Sequence, residues 1–495
     1  MTGQGEDPTG KSKTTALGRA AMRGAATSLG GQILRVLIQT GSIVVLARLL
    51  QPAEYGLIAM VMVIIGVGEI FRDFGLSSAA VQAPTLSRDE RDALFWINTG
   101  LGVLLAGLLA AAAPLVAMLF DEPALTGICQ VLALTFVLNG AATQYRAGLM
   151  RELRFGALVV VDVAAQIGGV ATAITLAAAG FGVWALAVQQ VATGVVMMIV
   201  LLWVARWLPG RPRRGVDVRS FMTFGWYLVA SQLVGYAANN ADTFVIGLRL
   251  GKGPLGLYNR AFQLLMQSYN LVRVPITRVA VPVFARLQDD EVAYRRFLAR
   301  GQLCLGYTLV VALAWVAGAA EPVVALLLGP AWSSVSPLLA WLAVAAAFDT
   351  LAFVGYWVYV SRGLTRDLMR FTFVASTIKI TCVVAGSWFG LVGVAAGYAL
   401  APAVTWPLSL WWMGRCAGVV VDDLYLGALR IIAVAGVSGF AAWSAVGATS
   451  GWWSVAQLLA GGLAGVAAVG VGALVLRRVR ADIGEVRSAV ALIRR

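Results

Sequence analysis

Five arginines stand inside stretches of sequence that are otherwise almost wholly apolar: Arg35, Arg72, Arg260, Arg273 and Arg278. A guanidinium stays charged in any surroundings, and its forked N–H groups match the oxygens of phosphates and carboxylates. Amides accompany these arginines at helical spacing. Gln32, Arg35, Gln39 and Ser42 recur every three or four residues and so share one helix face. A second stripe holds Gln232, Tyr236, Asn239 and Thr243, with Asp242 at its edge. A third holds Arg260, Gln263, Gln267, Asn270, Arg273 and Thr277, and Arg278 returns to the side of Arg260 after about five turns. Single amides in lipid serve as hydrogen-bonding glue between helices. A set of arginines asks for more, because intramembrane charge is expensive and faces a cavity or a partner. The three stripes therefore predict a water-filled polar cavity suited to an anionic ligand.

The acidic residues qualify that charge. Glu69, Arg72 and Asp73 stand at i, i+3 and i+4, so Arg72 is placed to pair locally. Asp242 can neutralise one arginine of the later stripes, and Asp162, Asp349 and Lys379 are available for pairing from other helices. Glu69, Asp73 and Asp242 are also the candidate carboxylates for ion coupling. The sequence has no histidine, which removes a histidine proton relay and a Ser-His-Asp triad. Its four cysteines are scattered without ligand-like spacing, so neither a disulfide framework nor a metal site is expected. With no Walker A loop and no set of paired outward carboxylates, the reading is a protein that is not an enzyme and carries no cofactor or metal.

The elements that position these residues are membrane helices. The chain is 60% hydrophobic and 13% charged. Apolar runs of roughly 20 residues, long enough to cross a bilayer, recur from Ser28 to Leu476. Gln51-Pro52, Gly180-Phe181-Gly182, Gly251-Lys252-Gly253-Pro254 and Gly390 punctuate them. The fold class predicted is all-α and polytopic, with about fourteen spans. Val324 to Pro337 reads as a short re-entrant or interfacial piece. Most of the 38 Lys and Arg fall in alternate loops, and only Arg48, Arg249 and Lys252 fall in the others. That asymmetry predicts both termini in the cytoplasm. It also accounts for the net charge of +14 without a nucleic-acid partner, since the basic residues lie between spans and not on one soluble face. Residues 479–493 place Val479, Ile483, Val486, Val490 and Ile493 on one side of an amphipathic helix suited to the cytoplasmic leaflet.

The chain also resembles itself at an offset of 200 residues. Gln32 matches Gln232, Gln39 matches Asn239, Gly56-Leu57 matches Gly256-Leu257, and Ala80-Val81 matches Ala280-Val281. An even number of helices between the repeats gives both halves the same orientation and places a site between them. The organisation predicted is a basic cytoplasmic tail (1–24), a six-helix bundle (25–208), a cytoplasmic linker (209–221), a second six-helix bundle (222–414), two extra helices (415–476) and a basic cytoplasmic tail (477–495). Gly461, Gly465 and Gly470 suit close packing of the last span.

Four segments carry a family resemblance: 49–57 (LLQPAEYGL), 71–82 (FRDFGLSSAAVQ), 256–261 (GLYNRA) and 281–290 (VPVFARLQDD). They resemble the polysaccharide transporters of the multidrug/oligosaccharidyl-lipid/polysaccharide exporter superfamily, the group that includes colanic-acid and O-antigen exporters. That resemblance implies two six-helix bundles plus two helices, alternating access, and export of an undecaprenyl-diphosphate-linked oligosaccharide for surface polysaccharide such as lipopolysaccharide or exopolysaccharide. By analogy with related lipid II flippases it puts diphosphate on Arg35, Arg72, Arg260 and Arg273, with Arg278 beside them. Gln32, Gln39, Gln232, Asn239, Gln263, Gln267 and Asn270 are then left to contact sugar or line the cavity. Polysaccharide polymerase and glycosyltransferases are the protein partners implied. Two alternatives stand beside this reading. A multidrug cation antiporter of the same superfamily would favour an acidic cavity, and a membrane polymerase or ligase would need a catalytic outside loop.

Overall fold

In a computed structural model, residues 30–73, 87–211 and 219–493 are described, and every regular element among them is a helix. In chain order these are α1 (Gly30–Leu49), α2 (Pro52–Asp73), α3 (Arg88–Phe120), α4 (Leu125–Arg151), α5 (Phe155–Ala178), α6 (Val183–Ala205), α7 (Arg219–Leu250) and α8 (Lys252–Arg286). There follow α9 (Glu291–Gly318, with one π turn at Gly306–Val310), α10 (Ala320–Leu327), α11 (Ser336–Ala352), α12 (Val354–Ser361), α13 (Thr365–Gly386), α14 (Gly390–Ala417), α15 (Asp422–Ala448), α16 (Ser454–Val475) and α17 (Arg477–Ile493). The tail at 1–24, the linker at 212–218 and the motif residues 74–82 lie outside the described residues.

Local chemistry sets the ends. The Ser87 hydroxyl accepts from the Glu90 amide at 3.2 Å, and the Glu90 carboxylate accepts from the Ser87 amide at 2.7 Å, which closes the first turn of α3. Gly251, at φ 81°, lets the chain turn between α7 and α8 where a side chain would be strained. α8 continues through Pro275 and Pro282 to Arg286. The region expected to be re-entrant is the short α10, then a 3-10 turn at Pro330–Val335 leading into α11.

Eleven stretches among the described residues are long and apolar enough to cross a membrane. One of them, Thr365–Ala417, contains both α13 and α14. α7 and α8, at 32 and 35 residues, are long enough but carry the polar stripes, so they fall outside that apolar set. Packing is inverted relative to a water-soluble protein. α16 buries Gly461 and Gly465 while Leu463 and Val466 are each 73% exposed. Water would penalise that arrangement and hydrocarbon favours it, so the chain is a polytopic membrane protein.

The chain divides into two compact units, one ending at Ala237 and one beginning at Ala238, with the division inside α7. In the first, α3 packs on α4, α5 on α6, and α2 on α4. A Cβ on Gly140 would lie 2.6 Å from the Asn98 carbonyl oxygen, and one on Gly102 would collide with that of Phe136, so α3 and α4 meet backbone to backbone. In the second unit α11 and α13 pack on α14, α8 packs on α11, and α15 packs on α16. Gly461 and Gly465 do face α15, through Val446 and Ser438, whereas Gly470 meets nothing within 4 Å.

The amphipathic tail helix is formed, as α17, and it packs on α16 and α9. Its anchor is ionic as well as apolar. Val479 and Asp482 are buried, and Asp482 accepts from Arg430 at 2.9 and 3.2 Å and from the Tyr307 hydroxyl at 3.2 Å. Arg480 donates to the carbonyls of Ala473 and Leu474 at 3.1 and 2.7 Å, and so caps the last turn of α16.

Candidate functional site

Two clusters in the first unit and a cavity in the second collect the charged residues. Asp162, on α5, accepts from Arg35 of α1 at 2.8 Å and from Arg146 of α4 at 2.6 Å. Arg35 also donates to Gln32, and the Gln166 amide donates to the Arg35 carbonyl at 3.0 Å. One carboxylate thus gathers two guanidiniums from two helices.

The second cluster is centred on Arg72. Its Nε donates to Glu69 at 2.6 Å, as the i, i+3 spacing predicts. Its Nη1 donates to the Thr143 hydroxyl at 2.6 Å, and the Asn139 side chain donates to the other Glu69 oxygen at 2.9 Å. Arg72 is buried, and its charge is matched locally. Asp73 follows it, half-buried, at the end of α2. Tyr236 points its hydroxyl at the backbone of α2, 3.2 Å from the Val63 carbonyl.

In the second unit a cavity of about 560 Å³ lies among α7, α8, α11, α13 and α14. Its walls include Asn239, Asn270, Arg273, Asp349, Lys379 and Tyr398. The Asp349 carboxylate accepts from Arg273 and from the Tyr269 hydroxyl, both at 2.9 Å. The Arg273 guanidinium also lies 4.4 Å from the ring centroid of Phe353. Lys379 donates to the Tyr398 hydroxyl at 3.3 Å and sits 4.4 Å from that ring's centroid.

The structure brings Asn239, Asn270 and Arg273 to this cavity. Asp242 stands outside its lining: it is 2% exposed and accepts from the Tyr258 hydroxyl at 2.6 Å. Arg260 is buried and donates to Gln263 at 3.0 Å. Gln267 is half-buried, while Gln32, Gln39, Gln232 and Arg278 are exposed. The positive excess expected from the stripes is smaller than the arginine count suggests, because Arg35 and Arg273 each meet a carboxylate from another helix. Arg146, Asn139, Tyr269 and Tyr398 belong to these clusters without any local spacing signal in the sequence. Lys379 reads from the sequence as a pairing group, although a lone lysine within an apolar helix is itself a signal of a cavity.

Apolar helices enclosing matched charges and a polar cavity define a membrane protein built to handle a hydrophilic ligand inside the bilayer. The chain belongs to the polysaccharide biosynthesis protein family, which it matches over residues 45–337. It is 26% identical over 376 residues to the lipopolysaccharide biosynthesis protein WzxC of Escherichia coli strain K12, covering 74% of this chain and 76% of that one. It is 24% identical over 322 residues to the succinoglycan biosynthesis transport protein ExoT of Rhizobium meliloti, covering 64% and 65%. Its fold is similar to that of the lipid II flippase MurJ in an inward closed conformation, with a TM-score of 0.67 at 12% identity over 91% of this chain and 98% of that one. An inward-facing multidrug resistance MATE family transporter of the MOP superfamily follows, with a TM-score of 0.57 at 14% identity over 83% and 98%. The resemblance seen in the four sequence segments is therefore borne out.

Proposed function

We propose that the protein moves a polyprenyl-diphosphate-linked oligosaccharide, a repeat unit of a surface polysaccharide, from the inner to the outer leaflet of the plasma membrane by alternating access. Membership of the polysaccharide biosynthesis family carries this reading. The charged groups held inside apolar helices support it, because a diphosphate and its sugars need polar partners while the prenyl tail stays in lipid. Both termini are cytoplasmic in this reading, the chain catalyses no covalent step, and a polymerase and glycosyltransferases act before and after it.

Arg35, Arg72, Arg260, Arg273 and Arg278 remain the diphosphate candidates, and the ion pairs add a condition. Arg35, Arg72 and Arg273 already satisfy Asp162, Glu69 and Asp349. A diphosphate must share or displace those carboxylates, so its binding exchanges one ion pair for another. Gln32, Gln39, Gln232, Asn239, Gln263, Gln267 and Asn270 are assigned to sugar or cavity lining, and Glu69, Asp73 and Asp242 to ion coupling.

The test is leaflet-resolved extraction of polyprenyl-diphosphate oligosaccharides from cells with and without the gene. Accumulation on the cytoplasmic leaflet, with surface polymer lost, is expected. Unpolymerised units on the outer leaflet would instead indicate a polymerase or ligase, and an unchanged lipid pool with altered drug tolerance would indicate a drug antiporter.

A further inference from the structure

The cationic groups of the second unit's cavity are not equivalent. Arg273 is committed: it is joined to Asp349 at 2.9 Å and packed against Phe353. Lys379 is not. Among the described residues no carboxylate lies within ion-pair distance of its ammonium, whose hydrogen-bond partner is the neutral Tyr398 hydroxyl at 3.3 Å. Asp242 and Asp349 act on it only at longer range. Asp242 is held by Tyr258 behind the wall. The lining therefore carries two cations, Arg273 and Lys379, against one carboxylate, Asp349.

An ammonium inside a membrane protein without a carboxylate partner is expensive unless water or a ligand oxyanion meets it. The surroundings indicate which oxyanion. Asn239, Asn270 and Ser376 add amide and hydroxyl groups to the same lining, and Phe262 and Tyr398 add aromatic rings. Hydroxyl-matching groups beside flat apolar faces suit a pyranose ring, whose edges are polar and whose faces are C–H. The forked guanidinium of this cavity, Arg273, reaches an anion only by sharing or displacing Asp349, whereas Lys379 is a single point charge with rotatable donors open to one carboxylate.

We infer that Lys379 is a ligand-binding residue, and that this cavity receives an acidic sugar of the transported oligosaccharide with the sugar carboxylate on the Lys379 ammonium. This rests on the proposed function and deepens it by naming the sugar class and the residue that selects it.

The test uses the purified full-length protein in detergent, with thermal unfolding followed by tryptophan fluorescence in glucuronate, glucose or inorganic pyrophosphate at matched ionic strength. Glucuronate is expected to raise the midpoint of the wild type more than glucose does, and any rise in pyrophosphate, which the arginines can take, is expected to survive Lys379→Gln. Lys379→Gln should abolish the difference between glucuronate and glucose, and Lys379→Arg should keep part of it. No preference for glucuronate over glucose in the wild type overturns the inference, and that measurement stands even if a variant fails to fold. Equal or greater stabilisation by pyrophosphate, lost in Lys379→Gln, also overturns it, because the site would then be a phosphate site. In cells, a leaflet assay in which gene loss traps the lipid-linked oligosaccharide but Lys379→Gln leaves export of an acidic repeat unit unchanged would sink the Lys379 assignment and leave the flippase reading intact. If gene loss leaves the lipid pool unchanged, the flippase reading falls and this inference falls with it.

Discussion

Asp162 holds Arg35 and Arg146 at 2.8 and 2.6 Å, so replacing it strands two guanidiniums at once. The Asp162 side chain is 18% exposed and those of Arg35 and Arg146 are 36% and 30% exposed. A fully exposed pair contributes about 0.2–1 kcal/mol, and removal of one partner of a fully buried pair costs about 3–5 kcal/mol. Two pairs at intermediate exposure place Asp162→Asn between those limits, at about 2–3 kcal/mol of destabilisation. Arg35→Gln removes one of the two pairs and leaves Asp162 joined to Arg146, so its cost should be smaller, about 1 kcal/mol. Adding Arg146→Gln to Asp162→Asn removes one stranded cation and should recover part of the loss. Chemical unfolding of the purified protein in detergent, read by tryptophan fluorescence, measures all three. If Asp162→Asn were as stable as wild type, or if Arg35→Gln cost as much as Asp162→Asn, the shared-carboxylate account would fail. If Arg35 also serves the diphosphate, Arg35→Gln should lower export by more than its reduced protein level explains.

Other perturbations test the scaffold. Gly140→Ala sets a methyl 2.6 Å from the Asn98 carbonyl oxygen and should cost about 1–3 kcal/mol, read as a lower unfolding midpoint; an unshifted midpoint would mean that α3 and α4 do not meet there. Asp482→Asn weakens the contacts to Arg430 and Tyr307 and should speed amide hydrogen exchange in α17 while leaving α16 protected. Unchanged exchange in α17 would show that its apolar face alone holds it.

Much of this architecture was legible because bilayer physics writes itself into composition. Apolar runs announced the spans, Gly180-Phe181-Gly182 and Gly251 marked their breaks, and the Glu69–Arg72 pair followed from local helical spacing. What escaped was set by tertiary packing. Arg35 and Asp162 are 127 residues apart, and nothing in either helix specifies that they meet. Arg273 and Asp349, 76 residues apart, are the same case. Tyr269 and Tyr398 read as ordinary aromatic residues of membrane helices, and only packing makes them the hydroxyls that meet Asp349 and Lys379. The side of the stripes was also hidden: Asp242 lies beside Asn239 in sequence, yet one is sealed behind Tyr258 and the other lines the cavity. The tail helix was visible as amphipathic, but its periodicity could not show that a buried Asp482 would fasten it to the protein.

Arg480 gives α16 something that apolar side chains cannot, a fixed depth. The helix has 22 residues and is therefore about 33 Å long, close to a hydrocarbon core of roughly 30 Å. A plain apolar rod of that length can ride up or down by a turn at small cost. This one ends in a guanidinium bonded to its own last carbonyls, and α17, which carries that guanidinium, is tied to Arg430. One end of the rod is pinned by an ionic tie, and the Trp452-Trp453 end, joined to α15 by the neutral bond from Gln457 to the Thr449 carbonyl at 3.0 Å, is the one that yields to a change in thickness. In a thinner bilayer α16 would answer by leaning about its arginine end, so that membrane thickness becomes a tilt at one known pivot.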